Sequence, residues 1–306
     1  MSTAMPARVL AFVGLGVMGE PMCRNLAQKS GLPVRAFDLN REPLSRLAAH
    51  GVQACASLPE AVHGAEVVLL SLPSGEAVHA LVHAHEGLLA HTHAGQTVID
   101  LGTSPVDTTR ALAAEFAQRG AVWVDAPVAR TRAAAEAGQL SVMVGADADV
   151  YARVRPLIAT FGSDVTHCGP VGCGQVVKIL NNMVLFETVV ALSEAKAIGE
   201  RAGVDPQLLF HTLSKGSADS FALRNHGMKA MLPGEFPERA FSVRYARKDL
   251  LYALQLAEQN GVDARGARTV DAWLQAAIAA GLGEHYHPVI SRLIAGDQSA
   301  PAPQTD

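Results

Sequence analysis

Cysteine is scarce in this sequence, aromatic residues make up 5% of it, charged residues make up 18%, and neither sign of charge dominates. Four cysteines (Cys23, Cys55, Cys168 and Cys173) scattered over 306 residues are too few for a disulfide framework. Reduced thiols in a cytoplasm are the simpler reading, and the chain is expected to be cytoplasmic. With 25 Lys and Arg against 29 Asp and Glu, the net charge is −4. That balance excludes nucleic acid or a membrane surface as a partner held by bulk charge. Long uninterrupted apolar runs are also missing. Residues 9–17 are apolar but short, broken by Gly14 and Gly16, and lack a strongly basic flank, so they do not read as a signal peptide. Residues 176–192 contain Lys178, Asn181, Asn182 and Glu187, too polar a set for a bilayer span. What the chain does have is 49% apolar residues, ample for a buried core. At about 150 residues per domain, its length suggests two domains.

The first half alternates in type. Short β-branched or aliphatic runs at 9–13, 34–37, 67–71, 98–101, 122–124 and 141–144 are separated by Ala-, Leu-, Glu- and Arg-rich stretches such as 20–28, 41–49 and 105–119. Continuous apolar strands interleaved with amphipathic helices predict a parallel sheet covered on both faces. From about Gly169 the strands stop, and helices are expected over roughly 171–202, 206–214, 218–231, 245–260 and 265–281. The boundary is placed near residue 168, dividing 1–168 from 169–297. The Pro- and Ala-rich tail 298–306 is expected to be disordered.

Gly14-Leu15-Gly16-Val17-Met18-Gly19 follows the first strand directly and opens a helix. Such a loop needs glycine for a tight turn, for close backbone approach to a pyrophosphate and for helix–strand packing, while the helix start offers N–H groups to phosphate. Asp38 closes the next strand, 24 residues after Gly14. A carboxylate there can accept from ribose hydroxyls and repel a 2′-phosphate; alternatively it caps the helix near Arg41. The expected fold is therefore α/β, a Rossmann-type doubly wound parallel sheet followed by an all-α C-terminal domain. The expected cofactor is NAD, with NADP left open because Arg41 lies close by. Leu72 and Pro73, after the third apolar run, join the cofactor set.

A second signal is Gly172-Cys173-Gly174-Gln175-Val176-Val177-Lys178-Ile179-Leu180-Asn181-Asn182. In one helix, Lys178 shares a face with Gly174, Asn181 and Asn182. Glycine inside a helix costs about 1 kcal/mol against alanine, so Gly172 and Gly174 suggest that something approaches the backbone closely. A lysine and two amides in an otherwise apolar helix are expensive unless they face a polar ligand or one another. The alternative is a lysine reaching solvent beside two surface asparagines.

Together with Pro21-Met22-Cys23-Arg24-Asn25-Leu26, Asp125-Ala126-Pro127-Val128, the run 138–145 and Lys248-Asp249-Leu250, these segments resemble the β-hydroxyacid dehydrogenase family in order and spacing over almost the whole chain. The resemblance implies that Lys178 is the catalytic acid/base and Asn182 orients the substrate. It also implies that Thr103 and Lys248 lie near the nicotinamide, and that a helical second domain supports a homodimer or homotetramer. One segment departs from the pattern. Where most members have Ser-Gly-Gly to hold the substrate carboxylate, this chain reads Ala129-Arg130-Thr131. Arginine adds a fixed charge and a fork of donors. The segment is similar to the 3-sulfolactaldehyde reductase branch, which implies that Arg130 grips a terminal anion, with Thr131 and Asn181 as further contacts. Alternatively Arg130 points to solvent and Thr131 alone replaces the serine.

The expected partner is thus a small anionic hydroxyacid or its aldehyde. Sulfolactaldehyde, succinic semialdehyde, 3-hydroxyisobutyrate, tartronate semialdehyde and a 3-hydroxy amino acid are the candidates, and a non-catalytic NAD-sensing protein is the rival from another class. Three cations, Arg130, Lys178 and Lys248, are assigned to one cleft. No metal is expected: His79 and His83 are four apart and His91 and His93 two apart, but 83–93 is a polar stretch read as solvated, neutral and without a nearby carboxylate or thiolate set.

Overall fold

The computed structural model describes residues 9–238 and 240–297, and the tail 298–306 lies outside them. The chain divides into two compact units, one ending at Lys178 and the other beginning at Ile179.

The first unit is built on nine strands: β1 Leu10–Val13, β2 Val34–Phe37, β3 Val52–Ala54, β4 Val67–Leu70, β5 Thr97–Asp100, β6 Val122–Asp125, β7 Val128–Ala129, β8 Leu140–Gly145 and β9 Gly162–Gly169. Their order is β3-β2-β1-β4-β5-β6-β8-β7, with β9 on β8. From β3 to β6 every pairing is parallel. β8 then runs antiparallel to β6 and β7, and parallel to β9. β1, β4 and β5 are buried at every residue, as strands covered on both faces must be. Alternate residues feed two cores: Leu10, Phe12, Leu69 and Ile99 face one, and Ala11, Val13, Leu70 and Val98 the other. Helices α1 Gly19–Lys29, α2 Arg41–Ala48, α3 Leu58–Val62, α4 Gly75–His83, α5 Leu88–His91, α6 Val106–Gln118, α7 Arg132–Ala137 and α8 Ala148–Ile158 cover the sheet. The architecture is the doubly wound α/β fold.

The six expected strands are present. β3, β7 and β9 are additional, because none carries a continuous apolar run. β3 and β7 are only three and two residues long, and half of β9 is exposed.

Helix α9, Cys173–Arg201, crosses the division between the units. The sequence boundary near 168 lies ten residues before that division, since the first turns of α9 are bonded to the ends of β5 and β6, as detailed below. By length and composition α9 could cross a bilayer, which the sequence reading had set aside, but it carries buried Lys178, Asn182 and Ser193. The second unit is all-helical: the rest of α9, α10 Pro206–Leu213, a π-helix Leu223–Met231, α11 Val243–Gln259, α12 Arg265–Ala279, and a 3-10 turn His287–Val289 leading into α13 Ile290–Ile294. Phe186, Phe210, Leu223, Val243, Leu250, Val270 and Leu274 form its core. The helix expected over 218–231 is largely the π-helix, whose Gly227 lies flat against Phe210: a Cβ there would come within 2.9 Å of the ring.

Candidate active site

The strand order reverses direction between β1 and β4, and in such sheets ligands bind at the carboxyl ends of the strands beside that point. The glycine loop leaves β1 there. Gly14 has φ +91°, and a Cβ on it would meet the Ser71 carbonyl oxygen at 2.4 Å. A Cβ on Gly19 would meet the Gly14 carbonyl oxygen at 2.1 Å, so helix and loop touch backbone to backbone. Gly16, between them, has nothing within 4 Å. The loop is thus closed on its protein side and open at Gly16, and Met18, which precedes α1, makes no side-chain cap. Leu72 packs under Gly14, with its Cδ2 3.0 Å from that position, and Pro73 follows it.

Asp38 reaches back to this loop. Its Oδ2 accepts the Leu15 N–H at 2.5 Å and its Oδ1 the Asn40 N–H at 2.7 Å. The cap of α2 is Asn40, which accepts from Glu42 N–H, so the helix-cap alternative for Asp38 falls to its neighbour. Each carboxylate oxygen retains a lone pair for a ribose hydroxyl. An open glycine, an uncapped helix start and an acid at the end of β2 together fit a dinucleotide.

Next along the sheet, Thr103 is buried in the turn after β5. Asp100 shapes that turn, accepting from Gly102 N–H at 2.9 Å and from the Ser104 hydroxyl at 2.8 Å. Gln175 of α9 brackets Thr103: its Oε1 accepts the Ser104 N–H at 3.1 Å, and its Nε2 donates to the Gly102 carbonyl at 2.9 Å. Asp125, at the end of β6 and wholly buried, accepts from the N–H groups of Gly172 at 2.7 Å and Gln175 at 2.8 Å. Burial pushes its carboxyl up to about 6, against the pull of those backbone donors. The sequence led to the expectation that something approaches the backbone closely at these glycines. At Gly174 the neighbours are the protein's own: a Cβ would meet the Met143 carbonyl oxygen at 2.4 Å and Asp125 Oδ2 at 2.8 Å.

Lys178 and Asn182 are buried and stand one turn apart on the same face of α9, whereas Asn181 is exposed. Asn181 donates to Asn182 Oδ1 at 3.1 Å. In the second unit, Asn182 Nδ2 donates to buried Asp249 Oδ2 at 2.7 Å, and Asp249 Oδ1 accepts from Lys248 Nζ at 2.7 Å. Lys248 also lies over the rings of Tyr245 and Tyr252, at 4.3 and 5.0 Å.

Ala129 and Arg130 follow β6 and precede α7, whose cap is Thr131: its Oγ1 accepts from Ala134 N–H. Arg130 has φ +88°, the left-handed region that favours glycine. Its guanidinium is held by Asp164 at 2.5 Å, Ser163 at 2.9 Å and the Gln139 carbonyl at 2.7 Å. Arg130 is thus paired with Asp164, and Lys248 with Asp249.

The histidine stretch also differs from its reading. The His79 and His83 rings lie 4.1 Å apart, tilted by 36°, and His83 Nε2 lies 2.7 Å from Glu115, delivered by α6. That hydrogen bond raises the His83 pKa, so the ring is not simply a solvated neutral one. Asp100, Asp125, Gln175 and Asp249 were not singled out from sequence. Asp125 and Asp249 could have been, as carboxylates inside the quoted Asp-Ala-Pro-Val and Lys-Asp-Leu segments.

Comparison with known proteins agrees with this geometry. Residues 9–169 match the family model described as the NAD binding domain of 6-phosphogluconate dehydrogenase. Residues 172–294 match the one described as NAD-binding of NADP-dependent 3-hydroxyisobutyrate dehydrogenase. The 2-(hydroxymethyl)glutarate dehydrogenase of Eubacterium barkeri is 33% identical over 253 residues, covering 83% of each chain. The NAD-dependent L-serine dehydrogenase of Pseudomonas aeruginosa is 38% identical over 214 residues, 70% of this chain and 72% of that one. Among solved structures, the Mycobacterium tuberculosis 3-hydroxyisobutyrate dehydrogenase with L-serine superposes with a TM-score of 0.85 at 31% identity, covering 94% of this chain and 99% of that one.

Proposed function

The chain belongs to the β-hydroxyacid dehydrogenase family, and on that footing we propose that its substrate is a small acid bearing a hydroxyl β to its anionic group, or the corresponding aldehyde. It is an NAD(P)-dependent oxidoreductase acting on CH–OH groups. The named relatives support the substrate class: 3-hydroxyisobutyrate, L-serine and 2-(hydroxymethyl)glutarate each carry a primary hydroxyl β to a carboxylate.

The observation that carries the proposal is the buried face of α9, where Lys178 and Asn182 stand one turn apart and Asn182 is held by the buried Asp249. When bound, the nicotinamide takes or gives the hydride. Lys178 holds the proton at the substrate oxygen, taking it as the alcohol becomes a carbonyl and returning it in reduction. In its charged form it stabilises developing alkoxide. Asn182, fixed by Asp249, orients the substrate with Asn181 beside it. Gly14 to Gly19, Asp38, Leu72, Pro73, Thr103 and Lys248 hold the cofactor, and Asp38 favours NAD. The segment Ala129–Arg130–Thr131 receives the anion, Arg130 doing so by exchanging Asp164 for the substrate.

The test is a panel of hydroxyacids and semialdehydes with NAD and NADP in parallel, read by absorbance of the reduced nicotinamide. A carboxylated and a sulfonated aldehyde of equal length separate the ordinary members from the sulfolactaldehyde branch. Lys178→Ala should lower turnover by about 10²- to 10⁴-fold while NAD still binds; near-normal turnover would refute the assignment. A homodimer or homotetramer is the proposed assembly, supported by Val177, Leu180 and Val184 exposed along α9, and light scattering distinguishes it from a monomer.

A further inference from the structure

We infer that Asp125 is a positioning residue for Lys178: its carboxylate seats the first turn of α9, and Gln175 ties that turn to the loop carrying Thr103. The inference rests on the reading of Lys178 as the proton-handling group.

Most caps in this chain are local. Ser74, Thr131, Asp205 and Ser242 each cap the helix that begins next to them. The start of α9 instead receives a buried carboxylate from β6, 47 residues upstream of Gly172. Its two oxygens take one N–H each, from Gly172 and Gln175, at the positive end of a 29-residue helix. A buried carboxylate is an expensive way to cap a helix, and its raised pKa records that cost. Burial, with the charge of Asp125 beside it, pushes up the Cys168 thiol at the end of β9.

The fit leaves little play. A Cβ at Gly145 would come within 2.4 Å of Asp125 Oδ1, and one at Gly174 within 2.8 Å of Oδ2. Strand β8, the carboxylate and the helix start are thus in mutual contact. Gln175 extends the contact to the turn after β5 through the N–H of Ser104 and the carbonyl of Gly102, on either side of Thr103. Lys178 follows Gln175 by three residues, about 4.5 Å along the axis. A hydrogen-bonded turn is stiff over that distance, so a displacement at the carboxylate reaches the ammonium group nearly undiminished. Asp125 and Gln175 would in this way fix the proton-handling group and the cofactor-facing threonine in one frame.

The experiment is a double-mutant cycle on the full-length protein with the hydroxyacid of the panel that the wild-type chain oxidises fastest. Asp125→Asn preserves size but turns one acceptor into a donor facing an N–H. Its kcat should fall about 10²-fold, with the NADH dissociation constant within about threefold of wild type by fluorescence titration. Combining it with Lys178→Ala should cost nothing beyond Lys178→Ala alone. A second readout needs no turnover: competitive acetylation followed by mass spectrometry should show an altered rate at Lys178 and an unchanged rate at exposed Lys215. Losses that multiply in the double variant would overturn the inference, as would wild-type kcat or an unaltered Lys178 acetylation rate in folded Asp125→Asn. Turnover surviving in Lys178→Ala would instead overturn the underlying assignment of that lysine. Should Asp125→Asn fail to fold, Gln175→Met keeps the carboxylate and removes only the tie to the loop. The same cycle then expects about a tenfold loss in kcat, and wild-type kcat there would equally sink the inference.

Discussion

Arg130 shows how a single residue can oppose its backbone. At φ +88° its Cβ costs about 1–2 kcal/mol, which glycine would avoid. Against that relief stand two losses in Arg130→Gly: about 0.4–1 kcal/mol from greater freedom of the unfolded chain, and about 0–1 kcal/mol from a largely exposed ion pair with Asp164. The terms nearly cancel. We therefore predict that Arg130→Gly leaves the melting temperature almost unchanged while raising the substrate KM, and that Arg130→Ala lowers the melting temperature, because it keeps the strain and loses the pair. A KM unchanged for every anionic substrate would show that the guanidinium serves only its link to Asp164. The sequence drew attention to Arg130 as a departure from a family pattern. Its partners Asp164 and Ser163 could not be read there, since they lie more than 30 residues away on a strand with no apolar run.

Among elements, the glycine loop gives a contrast between two substitutions of equal size. Gly19→Ala places a methyl 2.1 Å from the Gly14 carbonyl, a backbone atom that cannot yield, so both the melting temperature and NADH binding should fall. Gly16→Ala meets nothing within 4 Å, so stability should hold while NADH binding weakens, as measured by thermal melting and fluorescence titration. Equal melting temperatures for the two variants would contradict this account. The loop was legible because its three glycines fall within six consecutive residues right after a strand. So were β1, β2, β4, β5, β6 and β8, whose apolar runs are a direct image of burial on both faces. The short or exposed strands β3, β7 and β9 left no such trace. Likewise, the π-helix depends on Gly227 meeting a phenylalanine 17 positions away, and Asp125 acts on a helix that begins 48 residues later.

For the molecule as a whole, the histidines of the second unit set a lower limit of pH. His226 accepts the Tyr286 hydroxyl at Nδ1, and the Nε2 atoms of His226 and His287 are buried with no hydrogen-bond partner among the described residues. Burial lowers the His226 pKa from 6.5 to about 4 and that of His287 well below its ordinary value. Between about 6.5 and 4 the unfolded chain binds protons that the folded one refuses. Stability is thus complete above that window and is lost as pH falls through it, by about 2 kcal/mol for His226 alone at pH 5. Asp125 works in the opposite sense, since its folded pKa of about 6 lies above the ordinary 3.8, so its ionisation costs stability as pH rises through that interval. The melting temperature should decline between pH 7 and 5, and His226→Phe should flatten the decline. An identical slope in that variant would contradict the assignment.

Helix α9 belongs to both compact units, and this bears on where the chain can be cut. A fragment ending at residue 168 would strip the Asp125 carboxylate of both amide donors, and would leave Gly102 and Ser104 without the glutamine that joins them. Anyone wishing to prepare the nucleotide-binding half by itself should carry the polypeptide beyond Lys178, accepting a protruding helical stub in exchange for a sheet whose acid stays solvated by protein.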